Sequence, residues 1–528
     1  MKLYKTIIWL AVALVLIAIM WYLWLPPIAL SSPSFWWCLI ATAAIITLAL
    51  FGAGNDWGYC EMDNPIPGLV SLGVAVLALV ILMLGGWAGS SFFNAQTYNE
   101  LLAVENTTFE SEFDTVNWDS VPQIDKASCQ ILGARKMGTL TNEVSQFEVQ
   151  STYTLINFDG KPVRVSPLGY AGFFKYKNNK ATGIPGYIVV DCVTKDAEFV
   201  RMEKGMKYSP TAFFQKDLKR HLRLQYPSLL FASFSFEIDD EGNPFYVAPT
   251  YRYKKGIGGA KEPTGCILID PVTGQTTQYT LTDVPEWIDH ALTGTQAVKL
   301  IDWWGKFGGG WWNSWVSQKD VRTSTMGYNY VTLNNDVYLY TGITSVALDE
   351  SNIGFMLVNM RTAEAKYFEM PSAEEYSAMD SAKGQVQHLG YESTFPILIN
   401  LNGEATYFLS LKDAAGLVKM YALVSVENIQ RLIVTDSALG IDHLVKEYSK
   451  TAGMSNGETQ STEFVIARVY TAVLEGNTQY YFEDENGNIY MTDISTSVKL
   501  PVYDVGDKVY VKYSNTNIPG YYTITEIE

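Results

Sequence analysis

The sequence predicts an α+β protein, mostly antiparallel β, in which three N-terminal transmembrane helices carry a β-rich extramembrane body. Two observations decide this. Ile7 to Trp24, Phe35 to Leu50 and Leu69 to Gly85 are apolar runs without a charged residue, each near the length needed to cross a bilayer core as a helix. From Phe147 onward β-branched and aromatic residues alternate and are broken by turn pairs, the pattern of hairpins.

The first apolar run follows Lys2 and Lys5, the only basic residues before position 88, and these predict a cytoplasmic N-terminus. Trp21, Tyr22 and Trp24 suit the headgroup layer at the far end of that run. Pro26 and Pro27 break the helix, and Ser31 to Pro33 make a short outer turn. Trp36 and Trp37 open the second run. The loop from Gly54 to Pro67 carries Asp56, Glu61 and Asp63 without a Lys or Arg, so the number of crossings, rather than its charge, places it inside. Three crossings predict a multi-pass protein of the cell membrane with a large extracytoplasmic C-terminal part, and the lipid bilayer is its first expected partner.

The 528-residue chain has a formal net charge of −17. Residues 1 to 87 hold two Lys against three acids, so nearly all of that charge belongs to the body. An acidic surface excludes a nucleic-acid footprint, which needs clustered positive charge to neutralise phosphates. Of five Cys, Cys38 falls in the second span and Cys60 in the inner loop. Cys129, Cys192 and Cys266 remain in the body, where at most one disulfide can form and buried thiols acting as small hydrophobes are the simpler reading.

Beyond the spans (1–88), the texture of the chain predicts a stalk or linker at 89–122. A β-rich domain follows at 123–200, then a helix-and-hairpin domain at 201–300, a second β-rich domain at 301–453 and a small barrel at 454–528. Asp125 to Met137 reads as weakly helical, interrupted by Gly133 and ended by Gly138. The turns are Asp159-Gly160, Asp240 to Asn243, Asp270 to Gly274, Asn402-Gly403, Glu475 to Asn477 and Asn486 to Asn488. Ser209 and Pro210 predict the start of a helix that places Phe214, Leu218 and Leu222 on one face and ends at Pro227. Its other faces carry Lys216, Lys219, Arg220 and Arg223, a solvated surface or a dock for lipid headgroups or an acidic partner. Further helices are expected at Thr295 to about Trp304, Ser372 to His388 and Asp442 to Ser449. Five strand candidates between Val465 and Glu526 suggest a C-terminal OB-like barrel, with acids outnumbering bases, so a docking or spacer module is favoured over a nucleic-acid binder.

The order of helix, strand, acidic-Gly turn, strand, loop, strand, Asp-Pro-x-x-Gly turn and strand over Pro210 to Thr280 resembles the PepSY module of extracytoplasmic proteins. Phe236 to Val247 would be its first hairpin and Thr264 to Tyr279 its second. The resemblance implies an inhibitor of secreted peptidases or a sensory accessory protein. The insertion Tyr251 to Pro263 departs from the compact module. Ser235 to Gly242, Tyr340 to Ser351 and Ala415 to Glu427 also look like blocks of a family of large membrane-anchored proteins, a likeness that implies a fold without a mechanism.

No constellation for chemistry stands out. The four His (His221, His290, His388 and His443) form no His-x-x-x-His pair and no Cys-x-x-Cys exists, so no metal or cofactor is expected. Gly453-Met454-Ser455-Asn456-Gly457 matches a nucleophile elbow only formally, because a linker rather than a helix follows it and no His comes after Ser455. Asp239, Asp240, Glu241 and Asn243, like Asp484 to Asn488, offer calcium-type oxygens, but hairpin turns use the same residues for backbone reasons. An enzyme is therefore not expected. The least ordinary stretch is Trp303-Trp304-Gly305 to Gly310-Trp311-Trp312-Asn313-Ser314-Trp315. Its five Trp beside flexible glycines suit core packing of a loop, a subunit or partner contact, or insertion into the outer leaflet. The leading expectation is an interaction protein that assembles with itself or another protein through these Trp. A PepSY-like regulator is the alternative.

Overall fold

A computed structural model describes residues 2–54, 66–140, 143–345, 351–452, 460–474, 477–497, 499–515 and 520–527. The inner loop with Asp56, Cys60, Glu61 and Asp63, the Ser455 motif and the Glu475-Gly476 turn lie outside the described residues. The chain forms two compact units, Met1–Val418 and Lys419–Glu528. Both are built of helices and mostly antiparallel sheet.

Three helices open the first unit: α1 (Lys2–Trp24), α2 (Pro33–Gly54) and α3 (Ile66–Gly89). All are long and apolar enough to cross a membrane. Hydroxyls between them are spent on partners inside the bundle. Ser71 Oγ donates to the Ala43 carbonyl at 2.9 Å, Thr47 Oγ1 meets Ser71 Oγ at 3.0 Å, and Trp21 Nε1 donates to Thr42 Oγ1 at 3.0 Å.

The body repeats one plan, a helix followed by a four-stranded antiparallel meander. The first copy joins the helix Lys126–Gly138 to strands Thr154–Phe158, Lys161–Tyr170, Ile184–Asp191 and Ala197–Met206. The second joins Leu218–Gln225 to Ser235–Ile238, Pro244–Tyr253, Lys261–Ile269 and Thr276–Thr280. The third joins Gly294–Phe307 to Asn329–Leu333, Asp336–Ser345, Ser351–Asn359 and Ala365–Ala373. The unit ends with the helix Glu375–Gln385 and the hairpin Ile397–Leu401 with Glu404–Lys412.

One turn recurs between the last two strands of all three complete copies. Asp191 Oδ1 accepts the amides of Val193 and Thr194, Asp270 Oδ1 those of Val272 and Thr273, and Asn359 Oδ1 those of Arg361 and Thr362. In each, the Thr hydroxyl accepts the amide two residues on, and the residue between them (Lys195, Gly274 or Ala363) has positive φ. The short Asp or Asn side chain replaces the backbone acceptor that a tight turn lacks, so the sequence Asp/Asn-x-x-Thr fixes hairpin register three times over.

Two helices differ from their sequence-based expectation. The helix expected from Ser209 begins at Leu218, because Asp217 caps it by accepting the Arg220 amide at 2.8 Å, while Phe214 sits at φ 55° in a preceding 3-10 turn. The helix Lys126–Gly138 runs through Gly133 unbroken. A Cβ there would collide with the Tyr153 hydroxyl, so this glycine permits close packing on the sheet and does not interrupt the helix.

The insertion Tyr251 to Pro263 has a structural purpose. It lengthens the hairpin of the two middle strands of the second meander, Pro244–Tyr253 and Lys261–Ile269, so that its tip, Lys254 to Ala260, reaches the apolar helices. The Ile257 amide donates to the Gly85 carbonyl at 3.0 Å and the Gly258 amide to the Ser31 carbonyl at 2.9 Å. Nearby, the Ile28 amide donates to the Pro227 carbonyl at 2.7 Å and the Tyr98 hydroxyl to the Gly89 carbonyl at 2.8 Å. The segment expected as a stalk is also tied down. It contains α4 (Ser91–Asn99), a strand Val104–Thr107 paired in parallel with Ala365–Phe368, and an ion pair from Glu112 to Lys366 at 2.7 Å, and just beyond it Asp125 pairs with Lys412 at 2.6 Å.

The second unit opens with the hairpin Val418–Ser425 and Leu432–Asp436 and the helix Gly440–Ala452. Six strands then form one sheet in the order 460–465, 508–515, 521–527, 489–493, 477–483 and 468–474. The 521–527 and 489–493 pair is parallel and the others are antiparallel. Six strands stand where five were expected, the added one being Gln460–Val465, and among the described residues the pairings do not close into a barrel. Ile466, Phe482, Leu500, Val509 and Val511 fill its core.

Gly256 has φ 55°, and a Cβ on it would collide with the Gly85 carbonyl oxygen. Gly256→Val should therefore undock the hairpin tip at a cost on the order of 2–3 kcal/mol. In detergent, trypsin should cut the variant after Lys254 or Lys255 much faster than the parent. Equal cleavage rates would show that the docking is not needed to hold the tip.

Candidate functional site

The helix Gly294–Phe307 starts at a capping box in which Thr293 Oγ1 accepts the Gln296 amide and Gln296 Oε1 accepts the Thr293 amide. One face buries Ala297, Leu300 and Ile301 against the third meander. Trp303 and Trp304 belong to this packing. The Trp303 ring lies 4.8 Å from Tyr98, edge to face, and Trp304 lies 5.6 Å from Tyr367, with the Arg322 guanidinium 5.7 Å above it. Asn99 Nδ2 donates to the Trp304 carbonyl at 2.6 Å, joining α4 to the helix end.

The chain then turns at Gly310, φ 83°, into a short helical stretch that closes with a wide Gln318-to-Asn313 backbone bond at 2.7 Å. Asn313 Nδ2 and the Ser314 hydroxyl brace it, donating to the carbonyls of Lys319 and Trp311. Trp311 is half-buried, 4.7 Å from Phe92. Trp312 and Trp315 are 63% and 70% exposed and Val316 is 66% exposed. Phe92 and Phe93, on α4, and Trp87, near the end of α3, continue the same surface, with Phe92 4.7 Å from Phe93 and Phe93 4.8 Å from Trp87. The five predicted Trp therefore divide. Trp303 and Trp304 pack inward, Trp311 bridges, and Trp312 and Trp315 form an exposed aromatic ledge beside the end of α3.

A cavity of about 290 Å³ opens elsewhere, between the strap 112–122 and the strands Asn329–Leu333 and Ile397–Leu401. Its polar wall includes Asn117, Asn157 and Asn400, whose side chains are already bonded to the backbone of Asp119, Asn335 and Phe113. The turn acids are likewise engaged. Asp239 accepts the amides of Glu241 and Asn243, and Asp484 those of Asn486 and Asn488. Among the described residues no cluster of His, Cys, Asp or Glu has the arrangement of a metal site.

No family model matches the chain. No curated protein matches it either. Among solved structures, a mutant of B. megaterium levansucrase aligns over 78% of this chain and 97% of its own at 9% identity and a TM-score of 0.18, a value that assigns neither fold nor activity.

Sequence reading missed the buried ionisable groups that join the first and second meanders to the connection leading into the helix Gly294–Phe307. Glu237 accepts the Asp289 amide at 2.8 Å and the Ser235 hydroxyl at 2.6 Å. Asp289 accepts the Asn157 amide at 2.8 Å, and His290 Nε2 bonds to the Leu155 carbonyl at 2.7 Å. No spacing rule finds them, since the partners are brought together only by sheet packing. Burial, with Glu237 adding to it, holds the Asp289 carboxyl well above its ordinary value of 3.8. Glu375 is also raised by burial, and it accepts the Gly342 amide at 2.7 Å. Cys129, Cys192 and Cys266 are buried free thiols. Burial raises the Cys129 thiol well above its ordinary value.

A carboxyl whose folded pKa is raised contributes stability that is complete below its unfolded value and is lost as pH rises through its folded value. Asp289→Asn removes that ionisation. The variant should match the parent in thermal stability below about pH 4 and exceed it increasingly as pH rises toward neutrality. A constant difference across that range, followed by circular dichroism, would mean that Asp289 does not titrate with folding.

Proposed function

We propose that this protein is a membrane-anchored structural or interaction protein that presents its β-rich body for assembly with a second copy or another membrane protein. The observation that carries the reading is the aromatic ledge of Phe92, Trp312, Trp315 and Val316 at the end of α3. Large rings left exposed together on a rigid support cost hydration free energy unless something covers them, and aromatic anchors of this kind dominate protein contacts. Lys2 and Lys5 favour an extracytoplasmic body, a side testable by adding protease to intact cells.

A second reading, a PepSY-like regulator of secreted peptidases or a sensory accessory protein, draws support from the hairpins at Ser235–Tyr253 and Lys261–Thr280. It predicts peptidase inhibition by the intact protein. The first and second meanders share one core, through residues such as Ile188, Phe236 and Ile267, so a fragment of residues 200–300 is a poor probe. An OB-like reading of the C-terminal sheet rests on its two edge strands being consecutive in sequence, separated by Ile466 and Ala467 alone.

Replacing both Trp312 and Trp315 by Ala should weaken assembly by roughly tenfold or more while leaving the thermal midpoint in place. Trp303→Ala, by contrast, should lower stability by about 3 kcal/mol. Light scattering of the detergent-solubilised protein, together with the proteins that copurify from native membranes, reads the first effect. If neither changes in the double variant, the ledge is not an assembly surface.

A further inference from the structure

We propose that a second surface, built from the helix Phe173–Asn179, the 3-10 turn Phe214–Lys216 and the exposed side of Leu218–Gln225, binds anionic phospholipid headgroups of the leaflet at which α1 ends. Three observations converge on it. The first is charge. In a chain of net charge −17, this surface gathers Lys175, Lys177, Lys180, Lys216, Lys219 and Arg220, and the acid among these elements, Asp217, is turned into the helix cap. The second is apolar exposure. Phe174 is 74% and Phe214 51% exposed, and Phe173 holds the two elements together at 5.2 Å from Phe213 and 6.2 Å from Phe214.

The third observation names the occupant. Arg220 lies 4.1 Å over the ring of Tyr22, two residues before the end of α1, and donates to the Phe214 carbonyl at 2.8 Å. The Pro227 carbonyl, just beyond the same helix, takes the Ile28 amide from the α1–α2 connection. The basic surface is thus continuous with the end of an apolar helix long enough to span a bilayer, at the level where headgroup phosphates would stand. Exposed Phe beside Lys is the side-chain pairing of membrane-surface segments, in which rings enter the acyl boundary and ammonium groups meet phosphate. An acidic protein partner would match the charge but gives no reason for the contact with Tyr22.

The test uses the full-length protein with Phe174→Cys in a Cys60→Ser background, labelled with an environment-sensitive fluorophore and reconstituted into vesicles. Vesicles of phosphatidylcholine alone are compared with an equimolar mixture of phosphatidylcholine and phosphatidylglycerol. The expected result is a blue shift and quenching by doxyl lipids in the anionic vesicles, reversed by high salt. Charge reversal of Lys175, Lys177, Lys216 and Lys219 to Glu should abolish it, each charge weakening lipid contact by roughly fivefold. These side chains do not fill the core, and an unchanged thermal midpoint confirms folding of the variant. Emission that is identical in the two vesicle types, or unaffected by the charge reversals, overturns the proposal. The readout does not involve the Trp ledge, so it succeeds or fails independently of the assembly proposed there.

Discussion

The tip of one long hairpin, Lys254 to Ala260, is wedged between the end of α3 and the α1–α2 turn, and the rest of the first unit is oriented by that contact. The contact is made backbone to backbone, which is why glycines face each other across it: Gly85 and Gly89 on the helix, Gly256, Gly258 and Gly259 on the hairpin. A Cβ at Gly89, Gly256 or Gly259 would press on backbone, and one at Gly85 or Gly258 on the Ile257 or Pro33 side chain. Because the hairpin is the middle pair of the second meander, and that meander shares its core with the first, the helix ends are coupled to the body by strands rather than by a tether. Residues 91–125 add a second attachment through α4, the parallel strand at 104–107 and two ion pairs.

A repeated plan explains how so large a body is assembled with no disulfide among its described cysteines. Each meander has a polar brace at its last turn, and each buries one sheet face on a helix or on a neighbouring copy. The joints between copies are where burial is most costly. Glu237, Asp289 and His290 stand there, every one of them bonded to backbone of another strand or loop. Buried polar groups of this kind penalise any misregistered packing of one meander on the next, because a slip by one residue would leave them unpaired.

How much of this was legible in the sequence depended on the range of the interactions. The three apolar helices, the hairpins at Asp239–Asn243 and Asp270–Gly274 and the helix 294–307 are written in local patterns, and the sequence reading located them within a few residues. The failures were long-range. Gly133 reads as a helix breaker until Tyr153 is seen to occupy the space a side chain would need. The insertion at 251–263 reads as a departure from a compact module until its tip meets Gly85 and Ser31. Residues 89–122 have the composition of a stalk, yet pair with strands more than two hundred residues away, a partner no local rule names. The Trp stretch was visible as unusual, but its division into packed Trp303 and exposed Trp315 depends on where α4 and Tyr367 lie.

Charge segregation links the two exposed surfaces to the anchor. A body carrying nearly all of a −17 net charge would be repelled from an anionic bilayer over a Debye length of about 8–10 Å. Both ends of the contact with α1 and α3 depart from that average. Near Tyr22 the surface is basic, and near Trp87 it is aromatic and uncharged along Phe92, Trp312, Trp315 and Val316. With the hairpin tip fixed between them, these two surfaces cannot rotate away from the helix ends independently of one another. Were the proposed lipid contact made on one side, it would set the height and tilt at which the proposed assembly ledge on the other side is offered.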